Sequence, residues 1–351
     1  MVNQNKPLHE INQQIRTCKG NYLLIADENW TLFDWSLLAN SKSDGYLIIS
    51  NRYDIYQKTL KENLRCNFSD FDFRSLENNS FENIFFRISK EKLVNLHIIQ
   101  ESMRLLNDMG KLFLVGQKNE GIKNLSVKAS QILKGQLDFK KNESIYTGEI
   151  ELSKSNHLSP SVSSYFDLVP VTKVSEVELM SKPGIFGWDK IDKGSELLIQ
   201  SVPAFLSHFE QQPKSLLDFG CGYGFLACHA RQFNFIHVTA TDNNAGALIA
   251  AEKNLTATQL DHHVIASNVG DSLSRKFDAI WANPPFHEGF STSKKILIRF
   301  LESSSTLLKR NGAALFVVNN FIPIERIASS YFQKIKILDK NKSYKILMLT
   351  N

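Results

Sequence analysis

A chain of 351 residues is long for one domain and suits two of ordinary size, each able to bury a core. With 42% hydrophobic and 22% charged residues, and no apolar run long enough to span a membrane, it reads as soluble and globular rather than disordered or membrane-embedded. A formal charge of +5 admits a polyanionic partner without requiring one.

The opening Met1 to Glu10 is polar and lacks the apolar core of a secretory signal. Four cysteines (Cys18, Cys66, Cys221, Cys228) stand in no metal-like spacing and point to a reducing compartment, the cytoplasm. The nine histidines are dispersed, so no metal site is expected.

From Asn21, short apolar runs alternate with amphipathic stretches: Tyr22 to Ala26, Gly45 to Ser50, Asn83 to Ile88 and Lys111 to Gly116. Before Gly110, Leu93, Leu96, Ile99, Met103 and Leu106 recur at helical spacing. Strands alternating with helices imply a mostly parallel sheet, an α/β fold.

The chain also repeats itself. Phe81-Glu82-Asn83-Ile84-Phe85-Phe86 resembles Phe277-Asp278-Ala279-Ile280-Trp281-Ala282, and each is followed by a helical stretch. Those stretches end alike, in Leu105-Leu106-Asn107-Asp108-Met109-Gly110 and Leu307-Leu308-Lys309-Arg310-Asn311-Gly312, and both lead into another buried strand. The early copy is shorter where the later one carries Asn283-Pro284-Pro285-Phe286; Arg87-Ile88-Ser89-Lys90 stands in its place. Two tandem domains of one fold are expected, 1–170 and 171–351, the first without the chemistry. The Ser-rich stretch Ser153 to Pro170 reads as the tail of the first domain and a linker.

In the second half a helix is expected from Ser195, after Asp192-Lys193-Gly194. Ser215 to Ala227 then reads as strand, Gly-rich turn and helix start, with Asp218, Gly220, Gly222 and Gly224 in the pattern Asp-x-Gly-x-Gly-x-Gly. A dinucleotide fingerprint would need glycine where Phe225 stands. The pattern suits S-adenosylmethionine instead, whose ammonium Asp218 would meet. The next strand, His237 to Thr241, ends in Asp242, placed to take a ribose hydroxyl pair, with Asn243 beside it; the competing reading has Asp242 or Asn243 cap the following helix. A third strand, His263 to Ser267, ends at Asn268, either a partner for the adenine edge or a turn amide.

After the strand Phe277 to Ala282 come Asn283, Pro284, Pro285 and Phe286. Two prolines fix an extended turn that has carbonyls but no backbone donors. Asn283 and the Pro284 carbonyl could accept both hydrogens of an exocyclic amine while Phe286 stacks on the ring bearing it. His287 reads as a loop-packing residue. Late lysines and arginines, among them Lys294, Lys295, Arg299, Lys309, Arg326, Lys340, Lys342 and Lys345, could hold phosphates or form a solvated face.

With these motifs in this order the second half resembles the Rossmann-like S-adenosylmethionine-dependent methyltransferases. More narrowly, Pro183-Gly184-Ile185-Phe186, Asp192-Lys193-Gly194-Ser195, the glycine turn and Asn283-Pro284-Pro285-Phe286-His287-Glu288-Gly289 resemble the RsmC family, which methylates guanine N2 in 16S ribosomal RNA. The resemblance implies a degenerate methyltransferase-like first domain that positions RNA or stabilises the second. It also implies small-subunit RNA as partner and a monomer as the working form. Enzymes that methylate 23S ribosomal RNA guanine, adenine N6 or protein glutamine share this chemistry and remain alternatives, as does a non-catalytic RNA-binding protein. Gly187-Trp188-Asp189-Lys190 departs from the family's usual Ser-Arg-Asp.

Overall fold

The computed structural model describes residues 6–39, 45–153, 164–285 and 290–351. They form two compact units, Met1–Asp167 and Leu168–Asn351.

The first unit contains strands β1 (Tyr22–Ala26), β2 (Tyr46–Ser50), β3 (Cys66–Phe68), β4 (Phe81–Arg87), β5 (Leu106–Gln117), β6 (Gln136–Asn142) and β7 (Ile145–Glu151). Its helices are α1 (Lys6–Thr17), α2 (Ser36–Ala39), α3 (Tyr53–Lys61), α4 (Lys92–Leu105) and α5 (Ile122–Leu133). The second unit begins with a hairpin, β8 (Val169–Val174) and β9 (Val177–Ser181). Strands β10 (Ser215–Phe219), β11 (His237–Asp242), β12 (Asp261–Ala266), β13 (Phe277–Ala282), β14 (Leu308–Asn319), β15 (Lys334–Lys340) and β16 (Tyr344–Thr350) follow. Its helices are α6 (Lys193–Leu206), α7 (Phe225–His229), α8 (Ala245–Thr258), α9 (Phe290–Leu307) and α10 (Ile324–Ala328).

The two main sheets have one topology, β3-β2-β1-β4-β5-β7-β6 and β12-β11-β10-β13-β14-β16-β15. Even an irregularity recurs: register slips between Phe81 and Asn83 in one and between Phe277 and Ala279 in the other. The central strands β1 and β10 are buried at every position, as parallel strands covered on both faces must be. The last two strands of each sheet are antiparallel, and β6 and β15, mostly exposed and carrying lysines, end the sheets. These hairpins escaped the sequence reading. So did β8, which starts inside the stretch read as linker. Most of that stretch lies outside the described residues, but Tyr165 at its end is 1% exposed, donates to Asp70 Oδ1 at 2.7 Å and stacks on His97.

Where the second unit has its glycine turn, the first has Asp27-Glu28-Asn29-Trp30 after β1, with Trp30 fully buried against Phe33 and Trp35. The strand pairings put Arg87 at the position equivalent to Asn283. It is buried, donates to the Ile88 carbonyl and pairs with Glu120. Replacing Trp30 by Ala removes a fully buried tryptophan from this aromatic cluster and is expected to cost about 3–5 kcal/mol, read as a lower urea midpoint by circular dichroism.

Candidate active site

In an open parallel sheet, ligands gather at the C-terminal strand ends. After β10 the chain turns through Gly220, Gly222 and Gly224, all with positive φ (79°, 53° and 84°), which only glycine adopts without strain. A Cβ at Gly220 would approach Phe300 at 3.2 Å and one at Gly224 would approach Ala251 at 3.4 Å, whereas one at Gly222 would meet nothing within 4 Å. The outer glycines thus serve packing, and the middle one leaves bare backbone facing open space.

Two carboxylates hold this turn. Asp218 is fully buried, its Oδ2 accepts the Ala227 amide at 2.8 Å, and its Oδ1 has no partner among the described residues. Burial pushes its carboxyl up to about 7; the Ala227 bond opposes the rise and Asp242 adds to it. A buried acid with one oxygen unmatched favours a cation nearby, and the ammonium of S-adenosylmethionine fits that demand. Since Asp218 is closed to solvent, its charge acts through the turn, across a short stretch of low dielectric.

Asp242, at the end of β11, accepts the Gly222 amide at 2.9 Å and the Asn244 amide at 2.8 Å. Two of its four acceptor positions remain for ribose hydroxyls. It does not cap α8, nor does the half-buried Asn243. The cap is Asn244, whose Oδ1 accepts the Gly246 and Ala247 amides and whose Nδ2 donates to the Gly184 carbonyl at 3.1 Å. Asn268 sits in a turn after β12, its amide on Asp271 and both its oxygens held by Arg299.

Asn283 emerges from β13 half-buried, and its Nδ2 donates to Asp192 Oδ1 at 2.7 Å and Ser195 Oγ at 2.9 Å. Asp192 is the N-cap of α6, with its Oδ1 also accepting the Ser195 amide at 2.9 Å. A carboxylate can only accept, so this bond fixes which end of the amide is nitrogen and leaves Oδ1 as its acceptor end. Pro284 is buried and Pro285 exposed, while Phe286 lies outside the described residues with His287 to Gly289.

The sequence reading overlooked the bonds of Asp192 and Ser195 with Asn283, the cap of Asn244 and the role of Asn254. The last, 1% exposed on α8, donates to the Met180 and Tyr223 carbonyls and accepts the Met180 amide, tying β9 to the glycine turn. An amide on an otherwise apolar helix face was the available signal. Of the late basic residues, Lys309 pairs with Asp278 at the opposite end of the sheet and Lys345 is buried against Glu325. Cys221 and Cys228 are buried, and burial pushes both thiols up, so they pack rather than react. Among the described residues no group of three or more His, Cys, Asp or Glu could hold a metal ion, and no helix is long and apolar enough to cross a membrane.

A Rossmann-like sheet with this glycine turn, an acid after the next strand and an Asn-Pro-Pro loop is that of an S-adenosylmethionine-dependent methyltransferase. Residues 176–348 match the methyltransferase small domain family. The chain belongs to the family whose curated members are called ribosomal RNA small subunit methyltransferase C. It is 29% identical to the member from Psychromonas ingrahamii over 296 residues, covering 83% of this chain and 82% of that one. With the member from Aliivibrio salmonicida it shares 27% over 348 residues, 98% of each chain. A solved T. thermophilus 16S rRNA N2 G1207 methyltransferase, in complex with AdoMet and guanosine, has the same fold at 20% identity and a TM-score of 0.84, covering 99% of this chain and 92% of that one.

Two outcomes follow from this geometry. Gly222→Ala adds a methyl group to the open space and forces a left-handed alanine, costing about 1–2 kcal/mol of stability; calorimetry should show a larger loss in cofactor affinity. Because Asp218 is held protonated up to about 7, the unliganded protein gives up stability as pH rises from the usual carboxylate range through 7. A bound cation recovers part of it. Cofactor affinity should therefore weaken about tenfold per pH unit below 7 with proton release on binding, a dependence absent in Asp218→Asn.

Proposed function

We propose that the second unit transfers a methyl group from S-adenosylmethionine to the exocyclic N2 of a guanine in 16S ribosomal RNA. The expected position is guanine 1207, as in the T. thermophilus enzyme. The observation that carries this reading is the Asn283 amide, pinned through its nitrogen by Asp192 and Ser195, which leaves its oxygen as the end that can accept from a substrate.

Guanine N2 is a weak nucleophile because its lone pair is delocalised into the ring. Asn283 Oδ1 and the Pro284 carbonyl accept its two hydrogens, which draws the lone pair back to nitrogen and aims it. S-adenosylmethionine, when bound, supplies an electrophilic methyl group on a sulfonium. Asp218, Asp242, Asn243, Asn268 and the glycine turn would hold and orient the cofactor, and Phe286 would stack on the extruded base, offsetting the roughly few kcal/mol that leaving the stack costs. No side chain need act as base before transfer, since the proton becomes acidic only afterwards. Fixed geometry provides most of the acceleration.

The first unit, with no glycine turn after β1 and a buried Arg87 in place of the amide, serves RNA positioning or stabilisation. The enzyme acts in the cytoplasm as a monomer.

The test is transfer of labelled methyl to purified 30S and 50S particles lacking their guanine-N2 methylation. Label on 16S guanine is expected, with Asn283→Ala slower by about 100-fold or more. Label on 23S RNA alone would reassign the target, and none on either would overturn the reading. Asp192→Ala should lower kcat about tenfold with cofactor affinity unchanged and lose about 1 kcal/mol of helix capping, whereas Asp192→Asn, which keeps both acceptor and cap, should recover most of the rate.

A further inference from the structure

The cofactor-side residues lie after β10, β11 and β12. On the other side of Asn283 the strand order continues through β14, β16 and β15, and their ends at this edge of the sheet carry groups that the reaction has not used. β14 runs parallel to β13 and ends at Asn319, so the loop after it leaves beside the Asn283 loop. Neighbouring strands are about 4.8 Å apart. In that loop Phe321 is 70% exposed, between the half-buried Asn319-Asn320 and the buried Ile322.

The loop is held in place. The Asn320 amide donates to the Ser343 carbonyl at 2.9 Å and its side chain donates to the Asn341 carbonyl, while the Ile322 amide donates to the Asn319 carbonyl at 3.0 Å. Those bonds lock Phe321 to the hairpin turn between β15 and β16, which presents Lys340 and Lys342, both exposed. Glu325, the acid that acts on Lys340, is already bonded through both oxygens to Lys345 Nζ, and Asp339 turns an oxygen back onto the Lys340 amide. The hairpin also continues into the active site. A Cβ at Gly194 would lie 3.0 Å from Asp192 and 3.3 Å from Tyr344, so the first residue of β16 and the carboxylate that pins Asn283 both border Gly194. In the first unit the strand pairings put Asn119 where Phe321 stands, so the half without chemistry has no aromatic there.

An exposed ring on a backbone tied to a lysine-bearing hairpin, one loop away from the target site, is the combination that binds single-stranded nucleic acid, with a base on the ring and phosphates on the cations. We infer that Phe321 and the hairpin lysines Lys340 and Lys342 form the docking surface for the RNA strand flanking the target base. A neighbouring base stacks on Phe321, and backbone phosphates lie on the two lysines. This rests on the reading that the substrate is ribosomal RNA.

The experiment measures methyl transfer to the particle the wild-type enzyme methylates, across a salt series, together with cofactor affinity by calorimetry. Phe321→Ala should raise KM for the particle roughly 5–100-fold, the range for removing one base stack, with kcat nearly unchanged; Phe321→Trp should retain wild-type KM. The double variant Lys340→Ala/Lys342→Ala should flatten the salt dependence of log KM by about 0.7 for each phosphate it no longer neutralises. None of the three should move cofactor affinity. An unchanged KM in Phe321→Ala, an unchanged salt slope in the double variant, or a parallel loss of cofactor affinity would overturn the inference. A wild-type enzyme that methylates neither particle would instead remove the functional reading beneath it.

Discussion

The bond from the Gly222 amide to Asp242 is the interaction on which the rest of the site depends. It joins the end of one strand to the turn after its neighbour, at a residue whose backbone has no side chain to stabilise it. The second carboxylate oxygen does the same for the start of α8 through the Asn244 amide, and Asn244 in turn reaches the Gly184 carbonyl. One acid therefore sets the relative positions of the glycine turn, the following helix and the loop before α6. Asp218 works beneath it on the opposite flank, using one oxygen for α7 and keeping the other unmatched in a setting where a neutral acid is the less costly state.

The duplication shows which parts of this scheme belong to folding and which to chemistry. Both units keep the strand order, the buried centre and the slipped register between the fourth and fifth strands. What differs lies at the strand ends. In the first unit the segment that replaces the glycine turn places Trp30 in the core with Phe33 and Trp35, and the residue equivalent to Asn283 is a buried arginine committed to Glu120. A buried aromatic cluster after the first strand yields burial and packing, whereas a turn of left-handed glycines forgoes side-chain packing there; a ligand site is maintained at the expense of local stability.

Much of the architecture was legible because parallel strands covered on both faces read as unbroken apolar runs, and these runs recur with the same flanking residues. The antiparallel hairpins at the sheet ends were not, since β6 and β15 mix lysines with apolar residues and look like loop. The glycine turn and the acid after β11 could be read from local spacing. The competing reading, with Asp242 or Asn243 as the cap of α8, fell one or two residues short of Asn244, because several polar side chains in succession can satisfy a helix N-terminus and only backbone geometry selects among them. The clamp on Asn283 was invisible for a different reason: its partners, Asp192 and Ser195, stand 91 and 88 residues earlier in the chain. Folding brings them together, and no local pattern records it.

The order Asn283-Pro284 has a further consequence, for the lifetime of the protein rather than its turnover. Asparagine side chains age chiefly when the backbone nitrogen of the next residue attacks the amide carbon and expels ammonia, leaving aspartate or its isomer. Proline's ring nitrogen carries no hydrogen and cannot close that cyclic imide. The residue whose carbonyl we propose for the substrate amine thus shields its neighbour from spontaneous deamidation, a change that would set a negative charge beside Asp192.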